Sequence, residues 1–286
     1  MNTKTYQYKP VAYHLWVFGL TWIFWFLAVF VSRSAAENGI STVLLLLGLI
    51  VPSITSLVFI LRSNSPALKK DYVEKLKGFY RVNLPSIFIG VLIFGGAILI
   101  SILVSLLLGQ SADQFSFTGG FSFSIGGVST LLVLVLTASL EELGWRGYAE
   151  DSLANYLDWF RESILSDAIW AVWHLPLFLM VGTYQYNILQ MSPWYMVNFF
   201  ISILPLGFLM TWVYVKNDRS ILGCVIFHFF VNFFQEMIAM TQVTKCIQTV
   251  VLALIVAALV LTNKELFFGT KHVGDILGEK TAVETV

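Results

Sequence analysis

Two adjacent carboxylates close an otherwise apolar stretch, in Ser139-Leu140-Glu141-Glu142-Leu143-Gly144-Trp145-Arg146-Gly147. Two histidines follow in runs just as apolar: His174 in Trp170-Ala171-Val172-Trp173-His174, and His228, with Asn232 one helical turn later. A charge at bilayer depth costs roughly 2.5–3.5 kcal/mol on insertion scales, so such groups face a cavity and have work to do there. Glutamates, histidines and an asparagine within membrane helices point to hydrolysis inside the membrane. A carboxylate in a poorly solvated cavity is the better general base near neutral pH. Glu141 would take a proton from water, and His174 would hold that water or shuttle the proton. His228 and Asn232, on one helix face, would stabilise the oxyanion of a tetrahedral intermediate. The chemistry implied is amide hydrolysis without a covalent intermediate.

Spacing separates the roles further. Glu142 and Arg146 stand at i, i+4 in the order that favours an ion pair. Glu141 and Glu142 point about 100° apart on a helix, so they do not share a role. The pair Glu142–Arg146 reads as a structural clasp that leaves Glu141 facing the cavity. Trp170 lies one turn before His174 and is placed to pack beside it. Glu141, His174 and His228 are also a set able to hold a divalent metal such as zinc, although the helical signature His-Glu-x-x-His is absent. Cys224, His228 and Asn232 form an i, i+4, i+8 row, but a buried cysteine in an apolar helix is more often an inert small hydrophobe. His14 and His272 are assigned no role.

The elements that position these groups are membrane helices. Of 286 residues, 57% are hydrophobic and 12% charged, against about 25% charge in average soluble proteins. Net charge is zero, which argues against nucleic acid as a partner. Apolar windows of about 20 residues give eight candidate spans, near 11–32, 40–61, 85–108, 126–143, 163–182, 193–215, 220–240 and 245–262. With both termini cytosolic, Arg33 and Lys245 alone of the 17 basic residues fall outside, which is the asymmetry the positive-inside rule expects of a multi-pass protein of the cytoplasmic membrane. Residues 62–84 then form a basic cytosolic connector, either a solvated loop or an amphipathic helix at the interface. Residues 109–125 suit a short outer loop, 146–162 a polar helical connector, and 263–286 a frayed cytosolic tail. At 1.5 Å per residue from these boundaries, Glu141 lies about 7 Å deep, His174 about 16 Å and His228 about 12 Å, all in the inner leaflet.

Glu-Glu-x-x-x-Arg, an aromatic-x-x-x-His and His-x-x-x-Asn, in this order on successive membrane segments, resemble the type II CAAX prenyl protease family, which includes the prokaryotic Abi or bacteriocin-processing proteases. The resemblance is strong over residues 126–240, read as the catalytic core of a single membrane domain 1–286. It implies an all-α polytopic membrane protein of about eight helices with a conical cavity open to the cytosolic leaflet. It also implies an endopeptidase cutting near the cytosolic membrane face, with Glu141, His174, His228 and Asn232 catalytic and Glu142 and Arg146 supporting. Trp170 departs from the Phe more often found there, a change expected to alter cavity shape more than chemistry. Family substrates include prenylated proteins losing a C-terminal tripeptide and, in prokaryotes, other peptides or membrane proteins. Members are classed as metalloproteases or as metal-free glutamate-dependent enzymes, and both readings stay open here. The rival reading is a non-catalytic scaffold or self-immunity factor that keeps the fold.

Overall fold

In lipid a chain must satisfy its own backbone polar groups, and unbroken helices do so. The computed structural model describes residues 6–34, 39–118, 129–269, 271–275 and 277, and among these the chain is helical apart from turns and one isolated bridge, Phe117 to Ile238. The long helices are α1 (Pro10–Ser32), α2 (Ile40–Leu61), α4 (Leu84–Leu107), α9 (Pro193–Lys216) and α11 (Gln242–Thr262). Shorter ones are α3 (Pro66–Lys77), α5 (Thr130–Gly144), α6 (Glu150–Ala154), α7 (Trp159–Trp173), α8 (Tyr184–Met191), α10 (Ile221–Met237) and α12 (Lys264–Phe268). Side-chain oxygens of Asn83, Asp158, Ser220 and Thr241 accept from the first-turn N–H groups of α4, α7, α10 and α11, which fixes where those helices begin.

This is an integral membrane protein, and each of the eight apolar windows corresponds to a helix. Length and composition alone qualify five helices as spans, and a sixth if α7 with its following turn and α8, bent by 77°, count as one. α5 and α10, of 15 and 17 residues, fall short of that length, so the count of eight is not reached by this measure. The fifth window is not straight. Pro176 cannot donate to a continuing helix, so α7 stops at Trp173 and a short 3-10 turn, Leu175–Leu179, follows.

The proline inside α2 is accommodated by a neighbouring helix. Pro52 leaves the carbonyl of Gly48 without its helical donor, and Thr21 Oγ1 on α1 donates to it at 3.2 Å. Tyr13, also on α1, donates its hydroxyl to the carbonyls of Pro52 and Gly144 at 3.1 and 3.0 Å. Gly144 is required there, because a Cβ would collide with Pro52. α5 therefore lies directly on α2, with the Glu141-Glu142 pair held from one side by α1.

The connectors differ from expectation. Residues 146–162 are not a surface link: α5 continues through a π-turn, Trp145–Ala149, into α6, and Arg146 to Ala154 are buried. Glu141 is thus 13 residues, about 20 Å at helical rise, from the end of a column that closes at Ala154. Likewise 62–84 is neither a solvated loop nor a purely interfacial helix. α3 buries Leu68, Asp71, Tyr72 and Lys75. Lys75 pairs with Asp151 at 2.6 Å, Arg219 pairs with Asp151 at 2.8 Å and with Asp71 at 2.6 Å, and Tyr214 donates to Asp151 at 2.9 Å. The tail is partly docked rather than frayed, with Phe267, Val273 and Leu277 buried. Its residues beyond 277 lie outside the described part.

This buried ion-pair cluster closes one end of the bundle, the end that also carries the described chain termini: Tyr6 meets Tyr148, and His272 meets the carbonyl of Ala154. Removing one member of a buried pair strands the others and costs about 3–5 kcal/mol. Asp151→Ala is therefore expected to lower the unfolding free energy in detergent by that amount, read by thermal denaturation. A melting curve matching the wild type would show that the cluster contributes little.

Candidate active site

Three helices, α5, α7 and α10, bring the polar groups together. Glu141, Trp170, His174, His228 and Asn232 line one cavity of about 290 Å³. Trp170 ties the first two functional groups to each other. Its indole Nε1–H donates to Glu141 Oε2 at 3.0 Å, and its backbone carbonyl lies 2.7 Å from His174 Nδ1. That carbonyl is one of the unpartnered acceptors at a helix C-terminus, available because α7 ends at Trp173. A carbonyl only accepts, so Nδ1 of His174 carries the proton and Nε2 keeps a lone pair. Trp173 and Phe199 pack on the His174 ring, with centroids at 4.9 and 5.5 Å.

His228 is oriented from the opposite side. Its Nδ1 is 2.7 Å from Glu142 Oε1, a carboxylate that must accept, so its Nε2 is the free atom. Glu142 in turn contacts Arg146, with Oε2 3.2 Å from Nε, and Arg146 Nε lies 2.7 Å from Glu150 Oε2. All three are buried. The guanidinium also sits 5.9 Å from the Trp170 ring centroid. Glu142, Arg146 and Glu150 occupy i, i+4 and i+8 across the π-turn.

The expected clasp between Glu142 and Arg146 is present, and Glu141 faces the cavity while Glu142 does not. Three features escaped sequence reasoning. Glu142 holds His228, a contact between residues 86 apart. Glu150 completes the Arg146 pairing, and here the four-residue spacing was a usable signal. Trp170 also donates to Glu141, which a phenylalanine cannot do, so the indole adds a polar contact to the expected change in cavity shape. Cys224 is fully buried and does not line the cavity.

Among the described residues no three His, Cys, Asp or Glu side chains converge closely enough to hold an ion, although the Nδ1 bonds of His174 and His228 leave both Nε2 atoms uncommitted.

The cavity extends from Glu141 and His228 toward the end of the bundle opposite the ion-pair cluster. Its walls there are Tyr184 and Gln185 on α8, Tyr195 at the start of α9, Glu236 at the end of α10 and Lys245 at the start of α11. Tyr184 donates its hydroxyl to Gln242 at 3.0 Å, and Thr241 donates to Gln110 at 2.9 Å, so these turns meet at one end. The mouth and the described termini are therefore at opposite ends.

Residues 123–234 match the family described as type II CAAX prenyl endopeptidase, Rce1-like. A curated relative, CAAX prenyl protease 2 of Methanococcus maripaludis, is 45% identical over 265 residues, covering 93% of this chain and 98% of that protein.

A hydrogen bond to an ionised group contributes about 1.5–3 kcal/mol, or roughly 10- to 100-fold in rate where it orients a reacting carboxylate. Trp170→Phe is expected to reduce the rate of peptide hydrolysis by such a factor with the melting temperature retained. Wild-type turnover in that variant would reduce the indole to packing.

Proposed function

The chain belongs to the type II CAAX prenyl endopeptidase family, and from this and the cavity's geometry we propose an intramembrane endopeptidase that hydrolyses a peptide bond with water activated by Glu141. The observation that carries the reading is the arrangement of the cavity floor. Glu141 and the free Nε2 of His174 are set by one residue, Trp170. His228 and Asn232 enter the same space from α10. A water between Glu141 and His174 gives up its proton to Glu141 as it attacks the scissile carbonyl. His174 Nε2 accepts the water's second hydrogen and aims its lone pair. The oxygen that becomes negative is met by the Asn232 amide and, when His228 carries a second proton, by its Nε2–H. The proton held by Glu141 then passes to the departing amine. Glu142 keeps His228 turned toward the substrate, and Arg146 gives Glu142 a countercharge. Each step uses side chains of this chain, and none is routed through a metal.

The substrate class that fits is a peptide or membrane-protein segment, with a prenylated C-terminal region as the specific case. The experiment is proteolysis in lipid nanodiscs with matched farnesylated and unlipidated fluorogenic CAAX peptides. Glu141→Gln removes the base while keeping shape, and general-base catalysis is worth about 10²–10⁴-fold, so cleavage should fall at least a hundredfold. A variant as active as the wild type would remove Glu141 from the chemistry. Cleavage of neither peptide by the wild type would favour the non-catalytic reading.

The side of the membrane is a separate proposal. The basic residues place both termini in the cytosol, and the mouth then faces away from it. A membrane-impermeant thiol reagent applied to intact cells tests this, with single cysteines at Lys70→Cys on α3 and Gln190→Cys on α8 and both native cysteines replaced. Charge predicts labelling at 190 only. Labelling at 70 only would reverse the orientation and open the cavity to a cytosolic substrate.

A further inference from the structure

We propose that Lys245 binds the free C-terminal carboxylate of the substrate, an inference that rests on the endopeptidase reading. Lys245 is the only lysine or arginine among the residues lining the cavity. Its Nζ lies 4.6 Å from the Tyr184 ring centroid and donates to the Tyr184 hydroxyl at 3.3 Å. The ammonium is thus held at the mouth by a ring that leaves donors to spare. Lys245 also stands in the first turn of α11, where the positive end of the helix dipole favours an anion.

Distance along the bundle supports the assignment. On α10, Gln235 is seven residues beyond His228, about 10 Å at helical rise. Gln235 Nε2 donates to Gln248 Oε1 on α11 at 3.0 Å, which puts the two helices in register. Lys245 precedes Gln248 by three residues, and α11 runs inward from the mouth, so Lys245 lies up to about 4.5 Å further out. The Lys245 backbone therefore sits roughly 10–15 Å above the level of His228 along the helices. An extended tripeptide spans about 10–11 Å. A chain whose scissile carbonyl lies at His228 and Asn232 presents its terminal carboxylate to Lys245 when three residues follow the cut. The two glutamine amides between floor and mouth are available to the peptide backbone in that interval. Glu236 lines the cavity as well, so recognition depends on contact with Lys245 rather than on a general positive field.

The test uses two peptides of one sequence, ending in a free carboxylate or in a carboxamide, with full-length protein in nanodiscs. Wild type should cleave the acid about tenfold more efficiently in kcat/KM, the size of a charge-assisted contact. Lys245→Met should bring the acid down to the rate of the amide, and Lys245→Arg should keep the preference. Equal cleavage of acid and amide by the wild type overturns the proposal without any variant. A Met variant that keeps the acid preference overturns it also. Cleavage of neither peptide by the wild type removes the endopeptidase reading itself, and the carboxylate contact with it.

Discussion

Arg146 is the charge on which the rest of the interior depends. A guanidinium buried at this depth is tolerable only with countercharges, and Glu142 and Glu150 supply them from one turn on either side. The reverse holds equally. Without Arg146, two carboxylates would lie in an apolar bundle with no neutralising partner, at several kcal/mol each. The π-turn places this exchange inside the helical column rather than at its end. Glu142 is then free to do a second job, holding the ring of His228. An electrostatic requirement of folding and the orientation of a functional histidine are met by the same carboxylate.

A second ion-pair cluster, Lys75, Asp151, Arg219 and Asp71, lies one layer further along the same column. It joins α3, α6 and the segment before α10, which would otherwise be three separate connectors. Together the two clusters make one end of the bundle a solid block of paired charge. The helices that leave this block diverge toward the other end, and the cavity occupies the space between them.

Much of this was legible in the chain. Apolar runs marked each helix, and four-residue spacing marked the Glu142–Arg146 pair, because both are local periodicities. The grouping of Glu141, His174, His228 and Asn232 was legible through three ordered motifs. What could not be read was long-range. The pairing of Glu142 with His228 and of Lys75 with Asp151 joins residues more than 70 positions apart, with no periodic signal. The connector was misread for a related reason: Arg146 to Ala154 contains five charged or polar side chains, which resembles a surface link until their partners on α3 and α9 are known. Hydropathy also records which segments meet lipid and not which end of a bundle is packed shut.

The closed end has a bearing on the order of events at Glu141. Paired charge fills the base of the cavity. Under the proposed endopeptidase reading, a peptide in the cavity would compete with the hydrolytic water for the same space. The nucleophile would then have to be aboard before the chain, each turnover drawing on a stored reagent that is replenished once the product has left.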